Sequence, residues 1–147
     1  MRLKTLLIAT LVAASMPALA QTAEAVNTVL DAVFGEHARF AAAFTQLQEA
    51  VAEEDAEEVA ALAAYPLVVK VGERVQVGSA EAFVAAYSDI MTDEIVTAVM
   101  EQGYESLFAS EQGIMIGNGQ VWMSGVCADD ACENWDVRIV TIQSTLR

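Results

Sequence analysis

The chain has 147 residues, 55% of them hydrophobic, with 21 acidic residues against 7 basic ones and a formal net charge of −14. A surface with so few cations gains no counterion release from phosphates, which excludes nucleic acid and anionic membrane surfaces as partners. One histidine and two cysteines cannot supply a zinc ligand set, and neither metal nor cofactor is expected.

Arg2 and Lys4 precede the apolar run Leu6 to Ala14, and Ser15-Met16-Pro17-Ala18-Leu19-Ala20 follows. A basic start, a short apolar run and small residues at a cleavage spacing are the pattern of an export leader cut after Ala20. The run is shorter than the roughly 18 to 20 apolar residues that span a bilayer. No cysteine stands at the cut, so neither a membrane nor a lipid anchor is expected. The expectation is a signal peptide at 1–20 and a single domain at 21–147, free in the periplasm or secreted. Removing the leader leaves 127 residues, enough for one core. It also leaves 5 basic against 21 acidic residues, about −16, a charge that serves solubility or a basic partner.

Val26, Leu30, Val33, His37, Phe40, Phe44, Leu47 and Val51 recur in steps of three and four. That spacing predicts one long amphipathic helix over about 23–53, with Gly35 as a point of kinking. A two-chain coiled coil would give the same stripe, but the alanines between its positions suit close packing against a sheet. His37 lies on the stripe. It reads either as an acid/base poised near neutral pH or as a core or core-edge histidine. Val33, Phe34, Phe40 and Ala41 offer it no carboxylate one helical turn away, which favours the second reading.

Asp55 followed by Glu58 has the spacing of a capping box, so the acidic run Glu53 to Glu58 reads as a solvated helix junction. The helix it opens carries Val59 and Leu62 and is expected to stop at Tyr65-Pro66. Leu67 to Val71, Gly72-Glu73 and Arg74 to Val77 predict a hairpin. Ser79 caps a helix with Phe83, Tyr87 and Ile90 on one face. Thr92-Asp93-Glu94 opens another through Ile95, Val99 and Met100, its acids suited to the positive end of the helix dipole. The rest reads as strand: Leu107-Phe108, Gly113 to Ile116, Val121 to Val126 after a Gly117-Asn118-Gly119 turn, and Trp135 to Ile142.

Cys127 and Cys132 are an even pair in an exported chain, which predicts a disulfide across the base of the last hairpin. Their spacing is not the two-residue spacing of redox-active pairs. Closing so short a loop contributes about 2 kcal/mol.

With Asp55-x-x-x-Val59-x-x-Leu62-x-x-Tyr65-Pro66-Leu67 leading from helix into strand, and Gly117-Asn118-Gly119-Gln120-Val121-Trp122 in a late hairpin, the element order resembles the NTF2-like (cystatin-like) superfamily. The likeness is greatest to its small exported bacterial members and covers nearly the whole chain after the leader. It implies an α+β fold in which a long N-terminal helix and shorter helices pack in a curved antiparallel sheet, a cone with a pocket at its open end. Some members, ketosteroid isomerase and scytalone dehydratase among them, do acid/base chemistry there, and others bind a ligand or a protein. Those enzymes need an Asp base with a Tyr or acid donor, or a His-Asp pair. No motif of this chain matches such a set residue by residue, so no catalytic residue is carried over.

Asp136 and Arg138 share one strand face, opposite Trp135, Val137 and Ile139, about 7 Å apart. They read as a polar anchor for a small ligand or as a surface ion pair worth under about 1 kcal/mol. Tyr65, Tyr87 and Trp122 either line a cavity or fill the core. Met91, Met100, Met115 and Met123 are core filler or an adaptable binding surface. These residues favour an exported, non-catalytic binding or accessory protein for a small apolar ligand, monomeric or homodimeric. One alternative is a small proton-transfer enzyme using Tyr65, Asp136 or His37. The other is an inhibitor or immunity-type module whose acidic surface meets a basic protein.

Overall fold

The computed structural model describes residues 21–145, and the expected leader at 1–20 lies outside the described residues. Thr22 opens the first helix, α1 (Ala23–Phe34); its Oγ1 accepts from the Ala25 amide at 3.2 Å and satisfies one orphan donor of the first turn. The helix ends at Gly35, whose φ of +81° lets its N–H return to the Asp31 carbonyl at 3.0 Å. A second helix, α2 (His37–Ala52), starts two residues later. The single helix expected over 23–53 is therefore two, because a residue in left-handed geometry ends a right-handed helix instead of bending it. The apolar stripe survives the break at Val26, Leu30, Phe40, Phe44, Leu47 and Val51, all buried, while Val33 is 45% exposed.

Asp55 caps α3 (Ala56–Ala61), accepting from the Glu57 and Glu58 amides at 3.1 and 3.0 Å. Pro66 does not end this helix. The Leu62 carbonyl accepts from the Ile139 amide at 2.8 Å and the Ala61 carbonyl from the Arg138 guanidinium, so contacts from a distant strand take over the helix's last acceptors. The chain passes directly into β1 (Ala63–Val71), with Tyr65-Pro66 inside the strand. β1 makes an antiparallel hairpin with β2 (Glu73–Val77).

Three short helices follow: α4 (Ala80–Ala85), capped by Ser79 Oγ on the Ala82 amide, α5 (Tyr87–Ile90) and α6 (Asp93–Glu101). The helix expected through Phe83, Tyr87 and Ile90 is thus interrupted at Ala86. β3 (Phe108–Ser110), β4 (Gly113–Ile116), β5 (Val121–Cys127) and β6 (Trp135–Gln143) complete the chain.

All six strands lie in one open sheet in the order β2-β1-β6-β5-β4-β3. Neighbours are antiparallel except β1 and β6, which are parallel. The sheet is mixed, not wholly antiparallel as expected. The helical crossover delivers β3 to the far edge, and three antiparallel steps then bring β6 alongside β1 in the same direction. The fold is α+β, with one face of the sheet buried against the helices through Leu67, Val69, Ile114, Ile116, Val121, Met123, Ile139 and Ile142.

Cys127 and Cys132 form a disulfide with Cα atoms 4.8 Å apart. The ladder partner of Cys127 is Trp135, so the bond closes the loop beyond the strands and does not bridge the hairpin base as expected. Asp129 orders the same loop by accepting from the Glu133 and Asn134 amides at 3.0 Å each and from Asn134 Nδ2 at 2.9 Å. These bonds, the Asn134 side chain first, hold its carboxyl below the usual range.

Candidate binding groove

Gln48 on α2 and the C-terminal end of α6 set the spacing of the helices that flank a large groove. Its Nε2 donates to the Val99 and Gln102 carbonyls, both at 2.9 Å, and so ties the two helices together through acceptors that α6 cannot satisfy itself. Between the C-terminal turn of α2, α5 and the start of α6 lies an open cavity of about 850 Å³. Val51, Met91, Val96 and Met100 are its apolar lining, the first two buried, and Glu54 and Asp93 line it as exposed carboxylates. Met100 is 43% exposed although it is large and apolar. Tyr87 lines one wall, and burial, then Glu54 and Asp55, push its phenol pKa up. It stays protonated at neutral pH and can donate a hydrogen bond but cannot act as a base.

Of the six pocket-lining candidates read from the sequence, only Tyr87 reaches this groove. Tyr65 is committed elsewhere: its hydroxyl donates to the Ala60 carbonyl at 2.8 Å, and burial, then Glu81, raises its pKa. Trp122 is on the opposite face of the sheet, flanked along β5 by the buried Val121 and Met123, with its ring edge-on to Phe108 at 6.4 Å. His37 is half-exposed at the start of α2, not a core residue. Its partner is Asp31, six residues back, which the turn at Gly35 brings within 2.8 Å of Nδ1. The same carboxylate accepts from the His37 backbone amide at 2.8 Å. That bond first, then the ring, lowers the Asp31 pKa. Asp31 thereby caps α2 in place of Glu36, which makes no cap hydrogen bond of its own. A His-Asp pair therefore exists, outside the grooves described here, and its geometry is that of a helix cap.

Asp136 and Arg138 do meet, at 3.2 Å, beside α2 in a smaller groove of about 240 Å³ that also includes Arg39. Both guanidiniums serve the backbone. Arg138 donates to the Ala61 carbonyl and Arg39 to the Trp135 carbonyl, and Arg39 stacks 4.5 Å over the Trp135 ring. The first β1–β6 partners are Ala63 and Ile139, and the arginines take carbonyls that precede them on the two segments.

Sequence reasoning missed Glu54, Ser88, Thr92, Asp93 and Val96 as groove residues. Glu54 and Asp93 had already been accounted for by a helix junction and a helix first turn. The signal that pointed here was the methionine pair, Met91 and Met100, read as core or adaptable surface. Nothing groups His37, Tyr65, Tyr87, Trp122 and Asp136 around one reacting atom; they occupy separate parts of the fold. No protein-family model matches this chain, and no curated protein or solved structure matches it significantly.

Proposed function

We propose that this is an exported, non-catalytic binding or accessory protein that takes a small, largely apolar molecule with a cationic or hydrogen-bond-donating end. The observation that carries the reading is the groove of about 850 Å³ lined by Val51, Met91, Val96 and Met100 together with the exposed Glu54 and Asp93. Its size falls in the range of small-molecule sites, roughly 300–1,000 Å³. Methionine walls adapt to irregular apolar shapes, and carboxylates at the rim favour a ligand with positive charge. On this reading the open sheet with helices on one face is an NTF2-like arrangement, supported by element order, and the sequence pattern of residues 1–20 supports export.

Titration of protein carrying ¹³C-methyl methionine with a short alkylamine and with the carboxylate of equal length tests the proposal. The methyl signals of Met91 and Met100 are expected to shift with the amine and at least tenfold more weakly with the carboxylate. Met100→Lys is expected to abolish the shift of Met91 while leaving the fold intact. Equal response to both ligands, or shifts confined to Met115 and Met123, would overturn the assignment.

A further inference from the structure

Asp93, Val96 and Met100 follow one another on α6 in steps of three and four, which puts them on one side of the helix, and all three line the groove of about 850 Å³. At about 1.5 Å of rise per residue, Asp93 and Met100 stand roughly 10 Å apart along the helix axis. The two ends differ in chemistry. Asp93 is an exposed carboxylate, Met100 is an apolar side chain 43% exposed, and Val96 between them is half-buried. Glu54 belongs to the Asp93 end. Gln48 is bonded to the Val99 and Gln102 carbonyls at the other end of α6. Glu54, six residues further along the chain, is after burial what raises the pKa of Tyr87 at the start of α5, and α5 leads through Met91 and Thr92 directly to Asp93. Glu54 also follows the last turn of α2, the negative end of that helix dipole. Among the described residues that line the groove, Glu54 and Asp93 are the only charged ones. Glu101, the acid next to Met100, lines a neighbouring groove instead.

We infer, on the footing that this groove binds a cationic apolar molecule, that its occupant is a linear primary alkylamine lying along α6, with its ammonium at the Glu54–Asp93 end and its methyl end at Met100. Length follows from the helix. An extended chain advances roughly 1.2 Å per bond, so about eight carbons cover the distance from Asp93 to Met100. Thioethers and the Val96 side chain give an aliphatic chain dispersion contacts without demanding a fixed shape. A carboxylate head would meet two like charges, and a second ammonium at the Met100 end would exchange water for an apolar surface with no counter-charge. The net charge of −14 by itself attracts a diamine more strongly than a monoamine, so the one-ended groove and the field of the whole molecule predict opposite preferences.

Calorimetric titration of protein expressed from the full-length chain with butylamine, hexylamine, octylamine, decylamine, 1,8-diaminooctane and octanoate, each below its micelle concentration, tests this. Affinity is expected to rise about fourfold per added methylene up to octylamine and to level off at decylamine, whose tail runs past Met100 into water. 1,8-Diaminooctane is expected to bind at least tenfold more weakly than octylamine. In the octylamine complex, nuclear Overhauser effects are expected from the terminal methyl of the ligand to the Met100 methyl, and from the methylene next to nitrogen to the Met91 methyl. A diamine that binds as tightly as octylamine, an undiminished gain from octylamine to decylamine, or the reverse Overhauser pattern overturns the inference and leaves an amine-binding groove in place. Absence of amine binding, or equal binding of octylamine and octanoate, overturns both.

Discussion

Glu94, in the first turn of α6, holds the end of the chain. It accepts from the Ser144 hydroxyl, from the Thr145 amide at 2.8 Å and hydroxyl at 2.9 Å, and from Gln120 Nε2 at 3.2 Å. These bonds, that of Ser144 foremost, bring its pKa from the ordinary 4.5 down to about 2. A depressed carboxylate pKa contributes stability that is complete above the unfolded value and is lost as pH falls through the folded one. Glu94→Gln is therefore expected to lower Tm at pH 7, and the gap from the parent protein to narrow between pH 4.5 and 2. Thermal melts across that range check it, and a gap that widens in acid would contradict the assignment. The sequence showed Glu94 as a helix first-turn acid, which it is. Its partners at 144 and 145 follow β6, and their approach depends on β6 lying beside β5 and β1.

At the scale of elements, the break between α1 and α2 is the clearest departure from the sequence pattern. The apolar period runs through Gly35 almost undisturbed, so the spacing alone reads as continuous helix. Glycine's φ of +81° and the Asp31 carboxylate waiting for the His37 amide decide otherwise. A Cβ at Gly35 would meet nothing within 4 Å, so substitution there probes backbone conformation alone. Gly35→Ala is expected to destabilise by about 1 kcal/mol, the cost of a left-handed alanine, and Gly35→Asn by less. In a continuous helix the same alanine would stabilise by about as much. Urea denaturation distinguishes the two signs. The same competition explains α3, where the sequence's stop signal at Pro66 is preceded by hydrogen bonds from Arg138 and Ile139 that end the helix at Ala61. Local signals with a local partner, Asp55 and Ser79, were legible; those completed across the sheet were not.

For the molecule as a whole, net charge −14 acts against compaction. Screening shortens from roughly 30 Å at 0.01 M salt to about 8 Å at 0.15 M. Tm at pH 7 is expected to rise over that range, as calorimetry at the two ionic strengths can show; a fall would mean that paired charges outweigh the repulsion. The same charge favours a cationic ligand at the groove. The proposed function thus draws on composition, but its groove could not be located from it. The strands of the last third were legible because buried residues alternate through Ile114, Ile116, Val121 and Met123. The candidate site was legible only in Tyr87 and the methionines, because the groove forms where α2 meets α5 and α6, which are distant from it in sequence.

The sequence by itself determined the class of the fold, the caps at Asp55 and Ser79, the apolar stripe and the pairing of Cys127 with Cys132, since each is carried by residue types and their spacing along the chain. Tertiary structure alone decided that β6 runs parallel to β1, and that Phe108, Met115, Trp122 and Val68 form one row. Those outcomes depend on which distant segments share a strand edge or a helix face, and a single chain's spacing does not encode distances between segments that meet only after the sheet has assembled.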